Sequence, residues 1–120
     1  MFDHIALRTG ELRKLVKFYE AALGPLGYAK LVSFDDGAGF GADRPTLWIG
    51  EADEEPSSVH IAFAAPNTAA VDAFYRAAMA AGGKDNGAPG PRPDYEPGYY
   101  AAFVIDPDGN NLEAVHHQRA

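Results

Sequence analysis

The stretch His4-Ile5-Ala6-Leu7 returns further along the chain as His60-Ile61-Ala62-Phe63. The same displacement carries Phe18-Tyr19 onto Phe74-Tyr75, Ala21-Ala22 onto Ala77-Ala78 and Leu23 onto Met79, without a gap. Self-similarity at one fixed offset is the trace of a duplicated supersecondary unit, so the chain is expected to build one domain from two like halves. With 120 residues, 47% of them hydrophobic, there is enough apolar material for a shared core.

Each half reads as β-α-β-β-β. In the first, Phe2 to Arg8 alternates, with Asp3, Ile5 and Leu7 on one face and His4 and Ala6 on the other. Thr9 or Gly10 can cap a helix that starts near Glu11. Its apolar stripe is Leu12, Leu15, Val16, Tyr19, Ala22 and Leu23, and Gly24-Pro25 should stop it. Tyr28 to Phe34, Ala38 to Gly41 and Thr46 to Glu51 follow as strands, the first two joined through Asp35-Asp36-Gly37. The polar segment Ala52 to Ser57 marks the junction, which divides the chain into residues 1–54 and 55–120.

The second half repeats the scheme. Ser58 to Ala64 alternates so that His60 opposes Val59, Ile61 and Phe63. Pro66-Asn67-Thr68 supplies a cap, Ala69 to Ala81 the helix and Gly82-Gly83 its stop. Lys84 to Gly90 leads into a Pro/Gly/Tyr-rich loop, Pro91 to Pro97. Gly98 to Ile105 and Asn111 to His116 are strands joined by the turn Asp106-Pro107-Asp108-Gly109-Asn110.

If each curved sheet carries its helix on the convex face, His4 and His60 look into the concave side. Aligning the two final strands by Leu47 and Leu112 sets Trp48 opposite Glu113, which adds one carboxylate to the two imidazoles. That donor set suits one divalent ion of Fe, Mn, Ni, Co or Zn and leaves positions open for water or substrate. Trp48 reads either as a core aromatic or as a flat wall for a ligand. Arg92, Tyr95, Tyr99 and Tyr100 sit in or beside the long loop, where they could hold a substrate oxygen or simply stiffen the surface. His116 alternates away from Glu113, and His117 reads as a solvated tail.

At these residues the sequence resembles the vicinal oxygen chelate superfamily, the group of glyoxalase I, bleomycin-resistance proteins and extradiol dioxygenases. The resemblance spans essentially the whole chain. It includes Asp106-Pro107-Asp108-Gly109-Asn110-Asn111-Leu112-Glu113, which looks like the family's Asp-Pro-Asp-Gly…Glu hairpin. It implies an α+β fold of two tandem β-α-β-β-β modules forming a curved mixed sheet around a central cavity. It also implies a homodimer and a metal held by His4, His60 and Glu113. Glyoxalase I usually has a fourth ligand, a glutamate or glutamine, on the last strand of the first copy; here that strand reads Thr46-Leu47-Trp48-Ile49-Gly50 and offers no carboxylate. Extradiol dioxygenases and the fosfomycin-inactivating thiol transferases are three-ligand relatives.

The resemblance thus points to a lactoylglutathione-lyase-like or dioxygenase-like metalloenzyme that chelates vicinal oxygens of a small substrate. The competing reading is a metal-free protein that sequesters an aromatic or cationic compound in the same concavity, as a bleomycin-resistance protein does. A formal charge of −7 without a basic cluster argues against nucleic acid as partner. The chain has no cysteine, which excludes disulfides and thiolate ligands. No run approaches membrane-spanning length and Met1-Phe2-Asp3-His4 is not a leader-like start, so a cytoplasmic protein is expected.

Overall fold

The computed structural model describes residues 2–53 and 55–118. The first module contains β1 (Ile5–Thr9), α1 (Leu12–Leu23), a 3-10 turn (Gly24–Leu26), β2 (Ala29–Phe34), β3 (Gly37–Gly41) and β4 (Leu47–Glu51). The second contains β5 (His60–Ala64), α2 (Thr68–Ala80), β6 (Lys84–Pro91), β7 (Tyr99–Ile105) and β8 (Asn111–His117). Their sheets have the same order, β1-β4-β3-β2 and β5-β8-β7-β6. In both, the first strand runs parallel to the last and the remaining pairs are antiparallel. The expected α+β class and duplicated β-α-β-β-β architecture are therefore what the chain adopts. The expected boundary falls at Glu54, which lies outside the described residues.

Local sequence accounts for most of these elements. The strand alternation buries Leu7 and Thr9 and exposes Ala6 and Arg8. The helical periodicity buries Leu15, Phe18, Tyr19, Ala22 and Leu23 on α1, and Ala70, Val71, Phe74 and Ala78 on α2. Each large side chain removed from water in this way stabilises the fold by roughly 1.5–3 kcal/mol. Asn67 caps α2 by accepting from the Ala70 N–H at 2.8 Å, as its sequence suggests.

Most element boundaries differ from expectation by a residue or two. β1 begins at Ile5, so His4 stands just ahead of the strand. Glu11 takes the cap position of α1 without a side-chain bond, and the Thr9 hydroxyl accepts the Glu11 N–H at 3.0 Å instead of capping the helix. α1 stops at Leu23, ahead of Gly24-Pro25 as expected, and Pro25 fits the start of the 3-10 turn that follows, where no N–H is needed; Gly27 ends that segment with φ 91°.

The two modules meet through their helices, with α1 and the 3-10 turn packed on α2. Buried side chains from both modules form one continuous core. A polar stitch crosses it: the Tyr19 hydroxyl donates to Asp106 Oδ2 at 2.7 Å. Asp106, only 3% exposed, also accepts the N–H groups of Asp108 and Asn110 and the Asn110 amide, so the Asp-Pro-Asp-Gly turn is anchored from inside. Because the helices lie between the sheets, the helix-free faces of the two modules look outward and the molecule is elongated, 45 × 28 × 24 Å. Among the described residues no helix is long and apolar enough to cross a membrane.

Candidate functional site

Parallel pairing of β5 with β8 fixes the first two donors. Ala62 lies opposite Glu113 and His60 opposite Asn111, which puts the His60 and Glu113 side chains on the same helix-free face. His60 Nε2 is 3.0 Å from Glu113 Oε1, and the Tyr99 hydroxyl donates to Oε2 of the same carboxylate. Glu113 is 2% exposed, so its charge requires partners, whereas the His60 side chain is half exposed.

The second imidazole nitrogen decides what this pair can do. His60 Nδ1 lies 3.0 Å from the Asn111 carbonyl oxygen, which can only accept. A neutral imidazole donates from one nitrogen, so with Nδ1–H on the carbonyl the Nε2 lone pair faces a carboxylate. Two acceptors at 3.0 Å call for a cation between them, either a second ring proton or a metal ion. A backbone carbonyl holding the outer nitrogen is the usual support of a metal-binding histidine.

An aromatic wall surrounds the pair. Phe103 is in register with Glu113 and its ring stacks on His60, centroids 6.3 Å apart. Tyr95 meets Tyr99 edge-on at 5.1 Å and Phe103 at 6.5 Å. The His117 ring contacts Tyr99 at 5.1 Å, and its Nδ1 is 2.8 Å from Glu96 Oε1. Burial, followed by the hydrogen bond to Glu113, pushes the Tyr99 phenol above the ordinary tyrosine range, so it serves as a neutral donor.

Two of the aromatic and basic candidates do other work. Tyr100 alternates to the helix-covered face, where its hydroxyl donates to Asp72 Oδ1 at 2.7 Å. The structure does not bring it to His60 and Glu113. Arg92 donates to the carbonyls of Gly90, Pro91 and Ala88 and lies 5.5 Å over the Phe103 ring, so its guanidinium braces the loop.

The first module offers a different surface. Ala6 lies opposite Trp48 just as Ala62 lies opposite Glu113, so Trp48 occupies the place of the carboxylate. Its indole spreads over Gly39, where an added Cβ would come within 2.9 Å of the ring and 2.8 Å of Val32. Glycine at that point of β3 leaves room for the indole. His4, half exposed, pairs through Nδ1 with Asp3 Oδ1 at 2.8 Å, and this bond holds the Asp3 carboxyl below its usual range. It also lines a cleft of about 220 Å³ at the seam of the modules, with Ile5, Tyr28, Phe40, Ile61 and Phe63. Among the described residues no three His, Cys, Asp or Glu side chains gather closely enough to hold a metal ion. His60 and Glu113 come together within one chain; His4 does not join them.

Phe103 and His117 were not singled out by sequence reasoning. Both were within reach of strand alternation, since Phe103 sits across the hairpin from Glu113 and His117 shares its parity on β8. His117 belongs to the strand and is not a solvated tail.

The profile of the Glyoxalase/Bleomycin resistance protein/Dioxygenase superfamily matches residues 1–114. A glyoxalase/bleomycin resistance protein from Albidiferax ferrireducens T118 is 30% identical, with 98% of this chain and 99% of that one aligned at a TM-score of 0.85. A glyoxalase I mutant from Zea mays is 26% identical at a TM-score of 0.73, covering 95% of this chain and 46% of that one. A lactoylglutathione lyase from Agrobacterium tumefaciens, 22% identical over 97% of this chain and 92% of its own at a TM-score of 0.69, shares the fold. No curated protein matches the sequence.

Proposed function

The chain belongs to the Glyoxalase/Bleomycin resistance protein/Dioxygenase superfamily, and on that premise we propose that it is a divalent-metal-dependent enzyme of lyase, isomerase or dioxygenase type acting on a small substrate with vicinal oxygens. The observation that carries this reading is the His60–Glu113 pair, with Nε2 and Oε1 3.0 Å apart and the outer histidine nitrogen on a backbone carbonyl. The third ligand is His4 of a second copy. Within one chain the helix-free faces look outward, and β1 and β5 are the edge strands of their sheets. The protein therefore works as a homodimer whose sites each combine the first module of one copy with the second module of the other.

In that arrangement His60 and Glu113 supply one imidazole and one carboxylate, and His4 the second imidazole. The ion would act as a Lewis acid on the substrate oxygens. Trp48 of the copy that lends His4 forms the opposing apolar wall. Phe103, stacked on His60, covers the other side with an apolar ring, which strengthens the electrostatic contacts beside it.

The test is metal analysis of protein purified without a histidine tag and reconstituted with Mn(II), Co(II), Ni(II), Fe(II) or Zn(II). One ion per chain, lost in His60→Ala and in Glu113→Ala, is expected. Wild-type protein with no affinity for any of the five contradicts the proposal.

The seam cleft favours a second reading, sequestration of a small apolar or aromatic compound without metal. Its lining is largely hydrophobic, with His4 at the rim. In that case a panel of aromatic ligands raises the melting temperature equally in wild type and in Glu113→Gln, and Phe63→Trp weakens binding by filling the cleft.

A further inference from the structure

The two oxygens of Glu113 have different partners. Oε1 faces His60 Nε2, while Oε2 accepts the Tyr99 hydroxyl. Tyr99, partly buried, is held by several neighbours. Its ring is wedged edge-on between Tyr95 and His117, each 5.1 Å away. Its N–H donates to the Glu96 carbonyl at 3.3 Å, and its own carbonyl accepts the Arg92 N–H at 2.7 Å. Glu96 in turn pairs with His117, and Arg92 braces the backbone at 88–91. The proline-rich segment after β6 is thus a clamp whose effect is to set one phenol on one carboxylate oxygen.

We propose that Tyr99 is a positioning residue that restricts Glu113 to coordination through a single oxygen. The inference rests on the metal site proposed above. With one lone pair of Oε2 engaged by the phenol, Oε1, the oxygen beside His60, is the better donor to an ion. A carboxylate can bind a divalent ion through one oxygen or two, and the two-oxygen mode fills an extra position. Holding Glu113 to one oxygen keeps that position open for a bidentate substrate. This gives the aromatic clamp a function that packing alone does not supply, since packing needs the ring of Tyr99 but not its hydroxyl.

Co(II) alone is the probe, titrated into wild type, Tyr99→Phe, Tyr99→Leu and Glu113→Gln. Two readouts report ligation without turnover: the intensity of the visible cobalt bands, which falls as coordination number rises, and the infrared separation of the carboxylate stretches of Glu113, isolated by subtracting the Glu113→Gln spectrum. Tyr99→Phe should bind one Co(II) per chain with weaker visible bands and a narrowed carboxylate separation, and Tyr99→Leu should do the same. If Tyr99→Phe binds one Co(II) with the wild-type spectra, the Tyr99 assignment is wrong and the metal reading stands. If Tyr99→Phe matches wild type and only Tyr99→Leu differs, ring packing is responsible, which also overturns the assignment. Wild type that takes up no Co(II) overturns both.

Discussion

The two modules share strand order, the register of their parallel pair and a buried helix phenylalanine, yet their helix-free faces carry opposite chemistry. In the first, β3 has glycine at Gly37, Gly39 and Gly41, and the Trp48 ring packs close to the middle one. In the second, the equivalent of Trp48 is Glu113, buried and bonded to His60 and Tyr99. The scaffold is common to both modules, and the chemical difference lies on the face that the core does not constrain. One module carries Trp48 and a single histidine, the other an acid–imidazole pair.

That comparison can be strained first at its common part. Phe18 and Phe74 are equivalent in the duplication and are 1% and 0% exposed. Phe18→Ala and Phe74→Ala should each lower unfolding free energy by about 3–5 kcal/mol, with similar values in chemical denaturation. A large inequality would mean that the modules do not share one cooperative core. The next test makes the divergent faces alike. Trp48→Glu places a carboxylate where the first module lacks one and should tighten divalent-metal binding by about tenfold, or about 1.4 kcal/mol, in calorimetric titration. Unchanged affinity would remove Trp48 from the neighbourhood of the ion.

A smaller effect is expected at the stitch between modules. Tyr19→Phe removes the hydroxyl that bonds Asp106 and should cost about 1 kcal/mol, since the Asp106 carboxylate keeps three other donors. The same phenol predicts the alkaline behaviour. Burial, aided by the neighbouring Asp106 charge, raises Tyr19 above its ordinary value of about 10. The folded state then keeps the proton that the unfolded chain loses, so this contribution is intact below about pH 10 and declines as pH rises further. Stability measured against pH should fall less steeply above that point in Tyr19→Phe; parallel curves would show that the stitch carries no linkage.

Much of the scaffold was legible because it obeys local rules. The period-2 run at His60–Ala64, the stripe through Phe74 and Ala78, and the Asp-Pro-Asp-Gly turn each announce their element. The place of Trp48 opposite Glu113 followed from aligning the final strands, and the paired registers agree with it. The Tyr19–Asp106 bond was not legible, because a tyrosine in an apolar stripe gives no sign of where its hydroxyl ends. Tyr100 could have been separated from Tyr99 by alternation, since adjacent strand residues face opposite ways. The distance between His4 and His60 depends on how two modules dock through their helices, and that is a tertiary property with no periodic trace in the sequence.

The central claim is that a metal site joins His60 and Glu113 of one copy to His4 of another. The most direct measurement mixes His4→Ala chains with Glu113→Ala chains, refolds them together and counts bound Co(II). Each variant alone should bind no stoichiometric ion. The mixed dimer should regain one site, because the chain with intact His60 and Glu113 then receives His4 from its partner. If the mixture binds no more than the separate variants while a mixed dimer forms, the three ligands do not meet across copies and the account is contradicted.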